Sequence, residues 1–180
     1  MSAAAGRAVL GVFFGALSCS KAELSPPRSG SSPSPDAARR AASTDPTHED
    51  YQMPQLPRAR VTVRDVYGGA HAFDAEIAES EESQTRGLMW RKEIAADKAM
   101  LFIFPNEQVR SFWMRNTLIP LDIIFISADK TIAGIVANAA PKTLSPRSVG
   151  APSKYVLEVA GGWCEKAGVR AGSRVEIEKR

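Results

Sequence analysis

Histidine and cysteine are scarce in this chain, and their placement removes several kinds of chemistry at once. Among 180 residues there are two of each, His48 and His71, Cys19 and Cys164. No pair of them sits at ligand spacing, so neither a zinc site nor a CxxC redox pair is expected. No glycine-rich phosphate loop opens a helix and no Ser-His-Asp set can be assembled, which disfavours nucleotide-dependent and serine-hydrolase chemistry. A surplus of one charge is missing too: 23 basic against 20 acidic residues leave +3. The basic residues are scattered rather than striped, so no nucleic-acid partner is expected. The apolar run Ala8–Leu17 is about ten residues long, half of what a stable transmembrane helix needs.

What is present begins with that run. Met1–Arg7 is short, polar and carries one positive charge, the apolar segment follows, and Ala16-Leu17-Ser18-Cys19 comes next. This layout reads as an export signal, and its end resembles the lipobox of bacterial lipoproteins, with Leu17 one place later than usual. The resemblance implies a signal peptide over residues 1–18 and a lipid-bearing Cys19 as the mature N-terminus. Ser20 in place of Asp points to the outer membrane facing the periplasm, and ordinary secretion without lipid is the alternative. Residues 19–57 are rich in Pro, Ser, Ala and charge, and too poor in large apolar side chains to offset the entropy of ordering; a disordered tether is expected. Its reach is about 30 Å or more. His48 reads as a solvated linker residue, and Cys164, with no histidine near it in sequence, as a buried inert thiol.

Residues 58–180 carry the globular pattern. Arg60–Val66 and His71–Ala78 alternate around Tyr67-Gly68-Gly69-Ala70, which predicts a hairpin. Ser80 followed by acidic residues and Gly87 predicts a short helix. Ala99–Phe104 predicts a central strand, and Ser111–Met114, Asp122–Ser127, Thr131–Asn138, Tyr155–Ala160 and Arg174–Glu178 predict further strands. Gly161–Gly168 looks like a second short helix. Many short strands with two short helices predict a mainly β domain, a compact sandwich or barrel.

Arg86-Gly87-Leu88-Met89, Met100-Leu101-Phe102, the block Phe112-Trp113-Met114-Arg115-Asn116-Thr117-Leu118-Ile119-Pro120-Leu121-Asp122, and Tyr155-Val156-Leu157-Glu158 together resemble the domain-of-unknown-function family 192. The resemblance spans about Val61 to Ile177. Ala99 and Ser173 stand where that family usually has Gly and Asp. It implies a compact, mainly β fold, often exported or lipid-anchored, and implies no reaction.

Function then rests on the polar residues near the central block: Arg86, Trp113, Asn116, Thr117, Asp122 and Glu158. One reading makes them scaffold, with Trp113 plugging the core, Asn116 and Thr117 bracing a loop, and Asp122 paired with Arg86. Another places them around a small polar ligand such as a glycan or peptidoglycan fragment, held by the indole face and oriented by the polar groups. Two further readings are an envelope hydrolase using Asp122 and Glu158 as an acid–base pair and a copper-handling protein using Met89, Met100 and Met114. The expected whole is a non-catalytic binding or scaffold module, monomeric, tied to the membrane by lipid, with neither metal nor cofactor.

Overall fold

A computed structural model describes residues 43–180. The expected signal peptide, Cys19 and the first part of the tether lie outside the described residues. Nine elements follow in order: β1 (Arg58–Arg64), β2 (Ala70–Ala78), α1 (Glu81–Arg86), β3 (Lys98–Val109), β4 (Leu121–Ile126), β5 (Ile132–Ala139), β6 (Pro152–Ala160), α2 (Trp163–Ala167) and β7 (Val175–Lys179). The domain is mainly β, as its alternation predicts. Its strands form one sheet in the order β5-β4-β6-β3-β2-β1-β7.

That sheet is curled into a half-barrel. Its two outermost strands approach at one end, where Thr131 bridges Arg174. There Ile132 N donates to Ser173 O at 2.9 Å and Val175 N donates to Lys130 O at 2.9 Å. Val63 and Val175 from one side of the strand order therefore share an interior with Ile126 and Ile132 from the other. A second apolar cluster covers the opposite face of the central strands, where Met100, Phe102, Ile123, Phe125 and Val156 meet Leu88 and Met114 from the connecting segments. The central strands are thus buried on both faces, and Leu121–Ile126 is buried throughout. Each large side chain sealed there, Phe125 for example, contributes about 1.5–3 kcal/mol.

β2 and β3 are neighbours and parallel, which requires the chain to cross between them; α1 lies in that crossover. Its start is set by a capping box: Ser80 accepts from Ser83 N and the Ser83 hydroxyl accepts from Ser80 N. Its end falls at Gly87, where a Cβ would come within 3.3 Å of the Phe102 ring.

Two expectations are corrected. The strand predicted over Ser111–Met114 is a single bridge, Phe112 to Arg147, because its neighbour is a loop and not another strand. The tether expected to run to residue 57 ends sooner, since residues from Pro46 onward are held against the domain. Tyr51 is buried with its hydroxyl donating to Glu82, and Met53 and Leu56 pack on the second cluster. Three large apolar residues in so short a span supply the burial that the Pro- and Ser-rich composition concealed. Among the described residues no helix is long and apolar enough to cross a membrane.

Candidate functional site

Asp122 occupies a position different from the one its motif suggested. It is fully buried at 0% exposure and accepts three backbone N–H groups: Asn138 at 2.7 Å and Gly162 at 2.8 Å on Oδ1, and Cys164 at 2.7 Å on Oδ2. Gly162, with φ 78°, supplies the left-handed turn that brings two of these donors onto one carboxylate. Asp122 therefore ties the start of α2 and the end of β5 to β4. The same carboxylate and burial push the Cys164 thiol well above its ordinary range, burial being the larger cause, which leaves it an inert core residue. Asp122 does not pair with Arg86.

Arg86, Trp90 and Asn116 hold the segment that precedes β1. Arg86 Nη1 donates to the carbonyls of Pro46 and His48. Trp90 Nε1 and Asn116 Nδ2 both donate to the Thr47 carbonyl, at 3.0 and 2.9 Å. Trp90 and Asn116 are also joined to each other through Trp90 N to Asn116 O at 2.8 Å. Both adopt positive φ, 66° and 55°, a conformation that costs energy in non-glycine residues and needs support from its surroundings. His48 thus enters a docked strap through its carbonyl, while its side chain is solvated as the sequence predicted.

Trp113 is half exposed at 49%, so it does not plug the core. It stands at the mouth of a cavity of about 500 Å³, within the range of small-molecule sites. Arg86, Thr117 and Glu158 line the same cavity, with Phe102, Phe104 and Phe112 among its walls. Phe112 packs edge-on against Phe102 at 5.0 Å and Phe125 at 5.8 Å, which fixes one wall to the sheet. Three of the exposed large apolar side chains, Val109, Trp113 and Leu144, all belong to this lining. Exposed apolar side chains gathered at one opening mark a binding surface more than solvent-facing chance does.

Glu158 is the feature that sets the cavity apart. It is 5% exposed, and burial pushes its carboxyl up to about 8, with the Arg91 charge only partly offsetting this. Arg91 itself is paired with Glu76. No hydrogen bond within the described structure acts on the Glu158 carboxyl. Burial thus favours the protonated form of this carboxyl, and the residue borders the cavity.

Of the six residues read from the sequence, the structure brings Arg86, Trp113, Thr117 and Glu158 to one cavity and leaves Asn116 with the strap and Asp122 across the sheet. An acid–base pair of Asp122 and Glu158 is excluded by this geometry. Met100 and Met114 are sealed in the second cluster and Met89 is buried beside the cavity, so these thioethers act as packing. Among the described residues no cluster of three or more His, Cys, Asp or Glu side chains could hold a metal ion. Arg110, Phe104 and Leu144 were missed by sequence reading; Arg110 borders the recognised block, but nothing near Leu144 marked it.

The family model for domain-of-unknown-function 192, described as "Uncharacterized ACR", matches residues 62–177, well over half of the chain. The chain belongs to this family. Among solved structures, a protein of Sinorhizobium meliloti 1021 with a provisional label of transcription regulator is 34% identical, covers 70% of this chain and 98% of its own, and superposes with a TM-score of 0.67. A protein of unknown function from Novosphingobium aromaticivorans DSM 12444 is 39% identical, covers 67% of this chain and 86% of its own, with a TM-score of 0.65. No curated protein matches the chain. The strap residues 43–57 precede the matched range, whereas Arg86, Trp90, Asn116 and the cavity residues fall within it.

Proposed function

We propose that this domain is a non-catalytic binding module at the cell envelope, tethered through lipid on Cys19, and that it holds a small, largely apolar ligand with one polar end in the cavity beside Trp113. The observation that carries this reading is Glu158, a buried carboxylic acid without a hydrogen-bond partner, facing a cavity of about 500 Å³. Buried polar groups are nearly always satisfied within a fold; one left open toward a cavity is supported by a ligand that completes it. Walls of phenylalanine favour ligands more apolar than a free glycan. The export-type N-terminus supports the envelope address. The label of the Sinorhizobium relative gives no reason to add a nucleic-acid partner, because the whole chain carries only +3.

A small-molecule panel screened against the full chain by ligand-observed NMR tests the reading. Ligands of the cavity should quench fluorescence in the native chain but not in Trp113→Phe. They should lose binding in Ser111→Trp, which places a bulky ring at the mouth from an exposed lining position. Hits that ignore Ser111→Trp, or a panel without hits, would count against the proposal.

A further inference from the structure

Two arginines line the cavity, and neither meets a carboxylate. Arg86 is 8% exposed and its only hydrogen-bond partners among the described residues are the carbonyls of Pro46 and His48, both on Nη1. Arg110 donates from Nε to Ser153 O at 3.1 Å and from Nη2 to Asn106 O, and its guanidinium lies 3.6 Å over the Phe104 ring. Burial works against the charge of both, with Glu49 offsetting only part of it at Arg86 and no nearby acid doing so at Arg110. No ion pair within 4.0 Å reaches either among the described residues, whereas Arg58, Arg64 and Arg91 all have acidic partners. The remaining N–H groups, Nε and Nη2 of Arg86 and Nη1 of Arg110, are not sealed from open space.

A guanidinium taken out of water is normally compensated by an anion, because carbonyl dipoles replace only part of its hydration. Of the acids in the lining, Glu81 is exposed at the rim, where solvent screens it. Among the described residues Glu158 forms no ion pair with either arginine, and burial disfavours its charged form, so it is a poor countercharge. Resting on the cavity reading above, we infer that the ligand is a carboxylic acid with an aromatic or aliphatic body, its head received at an arginine of the lining, Arg110 or Arg86, and its body packed on the phenylalanine walls. The planar fork of arginine matches a carboxylate geometrically. A single charge suits such apolar walls better than a phosphate dianion, whose desolvation cost is steeper. Glu158 can then donate its proton in a hydrogen bond to the head or to a polar atom of the body.

The test compares matched probes on the full chain by calorimetry: decanoate, decanol and decylamine, and 4-phenylbutyrate with its alcohol and amine. In at least one series the acid should bind about tenfold or more tightly than the alcohol, the margin expected of charge-assisted hydrogen bonds. Arg110→Gln should reduce that margin while leaving the alcohol unchanged. Arg86→Gln should act in the same direction, although it also loosens the strap, which makes the partly exposed Arg110 the cleaner variant. Alcohols that bind as tightly as the acids, or amines that bind more tightly, overturn the acid-head inference and leave the cavity reading intact. A preference that survives both arginine substitutions overturns the assignment to these two residues. Failure of every probe removes both readings.

Discussion

Asp122 on β4 is aligned with Val159 of β6, and Glu158, one residue earlier, is aligned with Ile123. Successive side chains of a strand leave opposite faces, so the two carboxylates depart on opposite sides of the sheet. Asp122 meets backbone N–H groups beside Cys164, while Glu158 meets the cavity. One register step separates a carboxylate that organises the fold from one left open to a ligand.

Asp122→Asn should destabilise the domain by about 2–5 kcal/mol. An amide cannot accept all three N–H groups now held by the carboxylate, and its NH2 would face donors. Chemical denaturation monitored by circular dichroism gives the measurement. A loss under about 1 kcal/mol would mean that the α2 turn is held by other contacts.

Stability should fall with rising pH because of Glu158. Its folded carboxyl titrates near 8 against an ordinary value of 4.5, so between those values the unfolded chain releases a proton that the folded chain keeps. The contribution is fully present below 4.5 and is lost as pH rises through about 8. Glu158→Gln should flatten this window and, above pH 8, be more stable than the native chain by at most about 5 kcal/mol. Urea midpoints across the range decide it, and parallel pH profiles for the two proteins would contradict the assignment.

The strap should matter to folding. A chain beginning at residue 58 loses Tyr51, Met53 and Leu56 from their packing, together with the three carbonyls that receive Arg86, Trp90 and Asn116. It should melt well below a chain beginning at residue 43, by an amount corresponding to about 3 kcal/mol or more. Asn116→Ala should reproduce about 1–2 kcal/mol of that loss, since it removes one donor and a residue type tolerant of positive φ. Equal melting temperatures for the two truncations would show the strap to be energetically idle.

Lipid on Cys19 is expected from the order of basic residue, apolar run and Ala16-Leu17-Ser18-Cys19. Mass spectrometry of the N-terminal peptide from cells should find a diacylglyceryl modification on that cysteine. Cys19→Ala should release the domain, folded, to the soluble fraction. An unmodified thiol, or a mature chain starting elsewhere, would replace the anchor with simple secretion.

The sequence by itself determined the secondary pattern and the family. Alternation in Arg60–Val66 and His71–Ala78, the Ser80 cap, the Gly87 stop and the apolar run within Asp122–Ser127 are local signals, because strand pleat and helix capping act over a few residues. Tertiary structure alone decided which polar residues share a space. Asp122 and Glu158 are far apart in the chain and are placed by strand register, which no local pattern records. The cavity is lined by residues from Glu81 to Glu158, far apart in the chain and brought together only by the fold. The docking of residues 43–57 depends on donors contributed by Arg86, Trp90 and Asn116, so a segment that looks unable to order on its own composition is ordered by contacts distant in the chain.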